Sequence, residues 1–409
     1  MMMKPRSLAF ALLAISAMLT APSASAQHPV IASVLESMRI DSMMAWCAEL
    51  SGEVPVNIAG AGHTLLSRHK NNAGNDLAQA WLQEQLAELG YTPVAQSFNA
   101  TGRNILVTKP GDGSTEAIVI ICAHYDAMPA GSLNAPAADD DGSGVCAVLE
   151  AARVLRDIPF VHPIVFALWD EEEQGKIGSL FYAGGMAAND AEIKAVINMD
   201  AIAYDGNADK KARIHARPVA NSLEIADTVF AMRDQFSIDL DLILTNPGAT
   251  YSDHASFWTE GYGAVLVIEE FSADGNPYYH TPNDRIQYFD VPYYEKLAKL
   301  SVAATAALAI PVDDETAVAG QQGKGRLLVF PNPTAGDLTV YLDASFTGAA
   351  TVHLHDAMGK PVGIAETTML TGDRSSFQLS LSTVAPGAYS ISIALANGQR
   401  REARIVKLP

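Results

Sequence analysis

Four apolar runs in the first 310 residues each lead into a histidine or a carboxylate. Ala117 to Cys122 runs into Ala123-His124-Tyr125-Asp126. Ile164 to Trp169 runs into Asp170-Glu171-Glu172-Glu173. Ala195 to Met199 runs into Asp200, and Ala264 to Ile268 into Glu269-Glu270. None of these runs alternates with polar residues, so each predicts a strand buried on both faces, which is the pattern of a largely parallel sheet covered by helices. Helical patterns separate them: Asn75 to Gly90, with Leu77, Trp81, Leu82, Leu86 and Leu89 on one face, then Val145 to Leu155, Ser222 to Arg233 and Tyr293 to Ala309. In open sheets of this kind functional groups collect at the carboxyl ends of the strands.

The composition supports a large core. Apolar residues make up 49% of the 409 and charged residues 18%, which excludes a disordered chain. The net charge of −19 repels a phosphate backbone, and no basic patch offsets it, so nucleic acid is excluded as a partner. Lys4 and Arg6, the apolar stretch Leu8 to Leu19 and Ala24-Ser25-Ala26 predict a secretory signal over residues 1–26, cut after Ala26. The stretch is too short to span a bilayer, and no later segment is long and apolar enough, so the mature chain is expected to lack a transmembrane segment. Cys47, Cys122 and Cys146 are odd in number, so at least one is unpaired or pairs with another chain. Cys122 and Cys146 lie in apolar segments and read as buried thiols.

The pattern changes near residue 311. Residues 311–325 are polar with several Gly and read as a linker after a domain over 27–310. Beyond it Leu338, Val340 and Leu342, then Val352 and Leu354, then Tyr389, Ile391 and Ile393 recur with period two, and Asn332-Pro333, Pro386-Gly387 and Asn397-Gly398 mark turns. This predicts a small all-β sandwich over 326–409. It holds seven basic and six acidic residues, so nearly all the acidity belongs to the first domain.

Each acidic motif is weak alone. A run such as Asp139-Asp140-Asp141, just ahead of a helix, is commonly a solvated helix start. The twelfth position of an EF-hand loop starting at Asp139 is Glu150, inside the helical pattern, which argues against calcium. Together the motifs say more: two histidines and several carboxylates at successive strand ends suit a divalent cation such as zinc. Without cations that many carboxylates would repel one another. There is no His-Glu-x-x-His, Gly-x-Ser-x-Gly, phosphate loop or dinucleotide fingerprint. A cysteine nucleophile does not fit thiols held neutral in apolar segments.

At these residues the chain resembles the M28 zinc peptidases, whose aminopeptidases use two zinc ions to remove N-terminal residues. The motifs are His124-Tyr125-Asp126, Asp140-x-x-Ser143-Gly144, Glu172-Glu173-Gln174-Gly175 with Gly178-Ser179, Asn198-Met199-Asp200, Ser252-Asp253-His254 and His280-Thr281-Pro282. The resemblance covers about residues 60–310 and implies a zinc exopeptidase-like fold, with peptides bearing a free N-terminus as substrates. It implies that Asp140 bridges two metals, that His124 and Asp200 complete one site and that Glu173 and His280 complete the other. Glu172 would be the general base, and Asp126 would orient His124. A cis peptide between Asp140 and Asp141 is also implied. The register of the acidic run stays open: Gly175 anchors it at Glu172 and Glu173, whereas counting from the strand end selects Glu171.

Some relatives place a Cys-flanked Tyr before Ser-Asp-His. Here the segment is Asn246 to Tyr251 without Cys, which leaves the oxyanion-stabilising residue open. Glu269, Glu270 and Asp274 read either as acceptors for a substrate ammonium or as a solvated loop. His254 reads as structural, and His353 and His355 as a solvent face. A glutaminyl cyclase with one zinc, a dipeptidase or carboxypeptidase, and a non-catalytic relative are the alternatives. The tail resembles the sorting domain of type IX secretion, through Val329-Phe330-Pro331-Asn332-Pro333, Asp356-x-x-Gly359-Lys360 and Pro386-Gly387-x-Tyr389. That implies handling by secretion machinery and a secreted or cell-surface location.

Overall fold

The computed structural model describes residues 27–129, 133–312 and 326–407, apart from 331–333, 335, 344–347, 357–359, 371–374 and 396–399. The expected signal segment, residues 313–325 of the expected linker and the turns at Asn332-Pro333 and Asn397-Gly398 lie outside the described residues, as do Pro331, Asn332, Pro333 and Gly359 of the sorting motif.

The chain enters through helices α1 (Pro29–Ser37) and α2 (Ile40–Leu50) and a small hairpin, β1 (Val56–Ile58) and β2 (Ala61–His63). Then come α3 (Ala73–Glu88), β3 (Val94–Ser97), β4 (Arg103–Lys109), β5 (Ile118–His124), α4 (Gly142–Leu155), β6 (Ile164–Trp169), α5 (Ile177–Ala188) and β7 (Ile193–Met199). After these lie β8 (Lys211–His215), α6 (Ser222–Gln235), β9 (Asp241–Thr245), α7 (His254–Thr259), β10 (Ala264–Glu269), α8 (Phe271–Asp274) and α9 (Val291–Ala309). Strands β3 to β10 form one sheet in the order β3-β4-β6-β5-β7-β10-β8-β9. Its four central strands, β6, β5, β7 and β10, are parallel, and β4 and β8 flank them antiparallel. The mixed, largely parallel sheet expected from the apolar runs is present.

The two faces of the sheet carry separate cores. On one, α3, α4, α6 and α9 pack through Trp81, Leu82, Val148, Leu155, Leu297 and Val302. On the other, α5 and α7 cover Trp169, Val196, Tyr182 and Phe257. Helix α4 is buried along nearly its whole length, including Cys146, and Glu150 within it pairs with Arg153 at 2.6 Å. All three cysteines are free and buried. Helices α1 and α2 carry no side-chain cap; Pro29 opening α1 and Asp41 in the first turn of α2 are the start signals present. They bury Ile31, Val34, Met43 and Cys47 against the same core. Pro311 and Val312 belong with the first domain, since Pro311 bridges Phe160 and Val312 N–H donates to Pro159 at 3.0 Å. No helix among the described residues is long and apolar enough to cross a membrane.

Beyond residue 325, β11 (Arg326–Phe330), β12 (Asp337–Asp343) and β15 (Ser375–Ser380) form one sheet. A second is ordered β14 (Pro361–Leu370), β13 (Gly348–Asp356), β16 (Gly387–Leu395) and β17 (Arg400–Lys407). Leu338, Val340, Val352, Leu354, Leu379, Ile391 and Ile393 fill the space between, the inward half of the period-two pattern. His353 and His355 stand half-buried on the opposite face of β13, their rings 6.3 Å apart.

Candidate metal centre and active site

The three aspartates ahead of α4 take three different directions. Asp141 caps the helix by accepting from Gly144 N–H at 2.9 Å, and it also accepts from His124 N–H at 3.1 Å. A side chain at residue 144 would collide with the Asp141 carboxylate, which explains why glycine follows Ser143. Asp139 accepts from Ala203 N–H and from Asn276, both at 2.9 Å. The backbone amides of Asp139 and Asp140 both donate to Asp284, at 3.0 Å. The Asp140–Asp141 peptide is cis. Asp140 is left to enter the cleft.

There its two oxygens face two different imidazoles. Oδ1 lies 3.2 Å from Nε2 of His124, at the end of β5, and Oδ2 lies 3.0 Å from Nε2 of His280. Asp200, just past β7, stands 3.7 Å from His124 Nε2, and Glu173, past β6, stands 3.0 Å from His280 Nε2. The ligand atoms thus form two clusters, His124–Asp140–Asp200 and Asp140–Glu173–His280, each within 4.8 Å and joined by one carboxylate. Asp140 Oδ2, Glu173 Oε1 and His280 Nε2 are buried without a hydrogen-bond partner. Lone pairs that converge without hydrogen-bond geometry are what a divalent cation would satisfy, and imidazole with carboxylate is a zinc-compatible donor set.

The acidic run after β6 divides in the same way. Asp170 accepts from Asn75 at 3.0 Å and from Arg103 N–H at 3.1 Å. Gly178 leaves room for Asp170 and Asn104, which any side chain there would strike. Glu171 turns away from the centre to Lys70 at 3.2 Å and Asn99 at 3.0 Å. Glu172 and Glu173 are held by their amides, which donate to the two oxygens of Asp126 at 3.0 and 3.2 Å. Asp126 Oδ1 also lies 3.3 Å from Nδ1 of His124. One buried carboxylate therefore faces the far nitrogen of an imidazole and fixes the acidic segment.

Charge is heavily concentrated here. Burial alone would lower the His280 pKa, but Asp140 and Glu173 outweigh it and raise it to about 10. For His124 too, Asp126, Asp140 and Asp200 overcome burial and hold the pKa well above its ordinary value. Burial would raise Asp140, yet the two imidazoles carry it below the usual carboxylate range. Glu173 is pushed up to about 7 by burial and then by Asp140. Glu172 is raised by burial, with Asp253, Asp200 and Asp126 adding to the rise. In both clusters the carboxylates make a site that favours positive charge.

The comparisons agree with this geometry. Residues 104–305 match peptidase family M28, and residues 328–407 match a secretion system C-terminal sorting domain. The α/β domain is thus similar to the M28 peptidases. The chain is 28% identical over 258 residues to leucine aminopeptidase 1 of Paracoccidioides brasiliensis, covering 59% of this chain and 66% of that protein, just under two thirds of its length. It is 29% identical to a probable leucine aminopeptidase 1 of Trichophyton verrucosum, covering 70% of this chain and 82% of that one. The fold matches the LapA aminopeptidase of Legionella pneumophila with a TM-score of 0.61 at 21% identity, over 72% of this chain and 79% of that one. It also matches the glutaminyl cyclase of Porphyromonas gingivalis, with a TM-score of 0.55 at 18% identity, over 65% and 97%. Both likenesses concern the fold.

Several further groups of the α/β domain stand near the centre, some of them noted in sequence without this role and one, Asp284, not singled out there. Asp253 is fully buried beside Glu172, accepts from Ser179 Oγ at 2.5 Å, and has its other oxygen unpartnered. Burial raises its pKa to about 7. Asp284 anchors the 139–140 backbone from a distant loop. Glu269 and Glu270 are buried, 1% and 4% exposed, so neither belongs to a solvated loop. Glu270 pairs with Arg213 at 2.7 Å, and Glu269 accepts from Tyr204 N–H at 2.8 Å. Asp274 accepts from Asn207 N–H at 3.2 Å. His254 is a packing residue, bonded to Ala249 O at 2.8 Å and set edge-on to Trp258. Tyr251 is half exposed, with its hydroxyl 3.4 Å from His215 Nε2.

Proposed function

We propose that the protein is an exported aminopeptidase that uses two divalent ions, zinc by donor chemistry, to hydrolyse N-terminal residues from peptides. The observation that carries this reading is Asp140, whose two oxygens belong to two separate ligand clusters. A single-metal centre, as in the cyclase alternative, has no use for the second cluster. His124 and Asp200 would hold one ion and Glu173 and His280 the other, with Asp140 between them. When bound, two such cations lower the pKa of water, polarise a scissile carbonyl and offset oxyanion charge.

The remaining work falls to the protein. Glu172 takes a proton from the attacking water on its carboxylate and returns it to the leaving amine, breaking the C–N bond. Asp126 sets the position of Glu172 through the backbone and the orientation of His124 through Nδ1. The buried Asp253 keeps a second carboxylate close to Glu172, which favours proton retention there. The sorting domain supports delivery to the cell surface or medium through secretion machinery.

The reading is tested with a panel of aminoacyl reporters and their N-acetylated counterparts. Cleavage of the free-amine forms alone is expected. Equal cleavage of the acetylated forms, or cyclisation of N-terminal glutamine without hydrolysis, would contradict it.

A further inference from the structure

A cavity of about 500 Å³ is lined among others by Gly175, Lys176, Leu180, Arg217, Ser256 and Trp258. Its rim is chained to the proposed base. The amides of Gly175 and Lys176 donate to the carbonyl of Glu172 at 2.8 and 2.7 Å, so Lys176 stands one helical turn from that residue. Ser256, also in the lining, is tied to a buried carboxylate beside that base, because Ser256 Oγ bonds Ser179 Oγ at 2.7 Å and Ser179 bonds Asp253.

Two cations border this space. Arg217 is fixed by Nε, which donates to Gly248 O at 2.7 Å, and its guanidinium lies 5.4 Å from the Trp258 ring centroid. Its terminal nitrogens remain free to fork onto a planar anion. Among the described residues neither Lys176 nor Arg217 forms an ion pair, whereas Lys70, Arg153 and Arg213 each pair with a carboxylate. In a chain with a net charge of −19, two partly buried, unpaired cations on one cavity are matched to an incoming anion.

The side of the scissile bond follows from the chemistry. A base that returns its proton to the leaving nitrogen stands beside the leaving residue, so space one turn from Glu172 lies on that side. We infer that this cavity receives the residue behind the scissile bond, and that Lys176 and Arg217 bind a carboxylate carried by it. The inference rests on the aminopeptidase reading. Two sources present this chemistry: the free α-carboxylate of a dipeptide, or an acidic side chain at the second position of a longer peptide.

The experiment compares kcat/KM in two arms. One sets leucyl-leucine against leucyl-leucinamide, and the other sets leucyl-aspartamide against leucyl-asparaginamide. Charge-assisted bonds of this kind predict a preference of about 10- to 100-fold for the anionic member of at least one arm, read mainly in KM. The first arm identifies a terminal carboxylate and the second a side chain. Arg217→Gln and Lys176→Gln should each shrink that ratio, and Arg217→Lys should keep more of it than Arg217→Gln. The ratio is internal to each variant, so a partly unfolded preparation does not mimic the effect. Equal rates within both arms, or an undiminished ratio in both Gln variants, would overturn the carboxylate site while leaving aminopeptidase activity in place. Failure to cleave any of the four compounds would overturn the aminopeptidase reading and this inference with it.

Discussion

In the α/β domain Asp126, Asp140, Asp170, Glu172, Asp253 and Glu269 are all buried, gathered at one end of the sheet. In the sandwich, Lys407 is the buried charged residue among those described, and the core is Leu, Val and Ile. Burying a carboxylate without a partner is costly. A domain that gathers so many buried carboxylates at one place, most of them met by hydrogen bonds or imidazoles, is suited to hold cations, whereas the sandwich core is built for packing. The contrast separates the part of the chain that does chemistry from the part that carries an address.

The strongest way to sharpen this contrast is to change the proposed base. Glu172→Gln keeps shape but cannot accept a proton, so both ions should stay bound while kcat falls by about 100- to 10,000-fold. Glu173→Gln should instead weaken one ion, with activity partly restored by excess zinc. Glu171→Gln should leave activity close to wild type, since that side chain is engaged by Lys70 and Asn99 away from the centre. If Glu171→Gln gave the inactive, metal-replete enzyme, the register of the acidic run would be shifted.

A smaller effect concerns pH. Asp170, Glu173 and Asp253 have pKa values raised to about 7, mainly by burial. Raised carboxyl values contribute stability that is full below about 4 and lost as pH rises through 7. His215 and His254, lowered to about 4 and about 3 mainly by burial, act in the opposite sense and lose their contribution as pH falls below about 6.5. Between about pH 6.5 and 8 the carboxylates dominate, so the metal-free α/β domain should lose a few kcal/mol across that window. Zinc should flatten the slope, and the sandwich transition should not respond to zinc or chelator. Calorimetry resolving the two transitions checks this. A sandwich that melts earlier on chelation would break the comparison.

The smallest expected change is in the activity of a chain ending after Val312, which keeps the contacts of Pro311 and Val312 with Phe160 and Pro159. Its kcat/KM should equal that of the full chain, but in the native host it should remain in the periplasm. Normal export would refute the sorting role.

Legibility from sequence followed locality. His124, Asp200 and the 171–173 run stand next to unbroken apolar strands, so their placement could be read from the pattern. The resemblance singles out Asp140 through Ser143-Gly144, and the structure supplies the physical reason, since the cap on Gly144 claims Asp141. Asp284 left no such trace. It acts by accepting amides 144 and 145 residues away. Asp253 stood in a noted motif, yet only packing of α7 against α5 brings it to Ser179 and Glu172. Helices α1 and α2 lack capping side chains and have short apolar faces, and their formation depends on the core they cover. Lys176 and Arg217, far apart in sequence, come to line one cavity only through the fold.

The central claim is that one carboxylate serves two ions. Elemental analysis and zinc titration of the full chain, beside Asp140→Asn, test it most directly. The account predicts two ions per chain at saturation, loss of affinity at both sites in the variant, and activity that tracks the second ion. Full activity with a single ion bound, or an Asp140→Asn chain that loses one ion and binds the other normally, would contradict it.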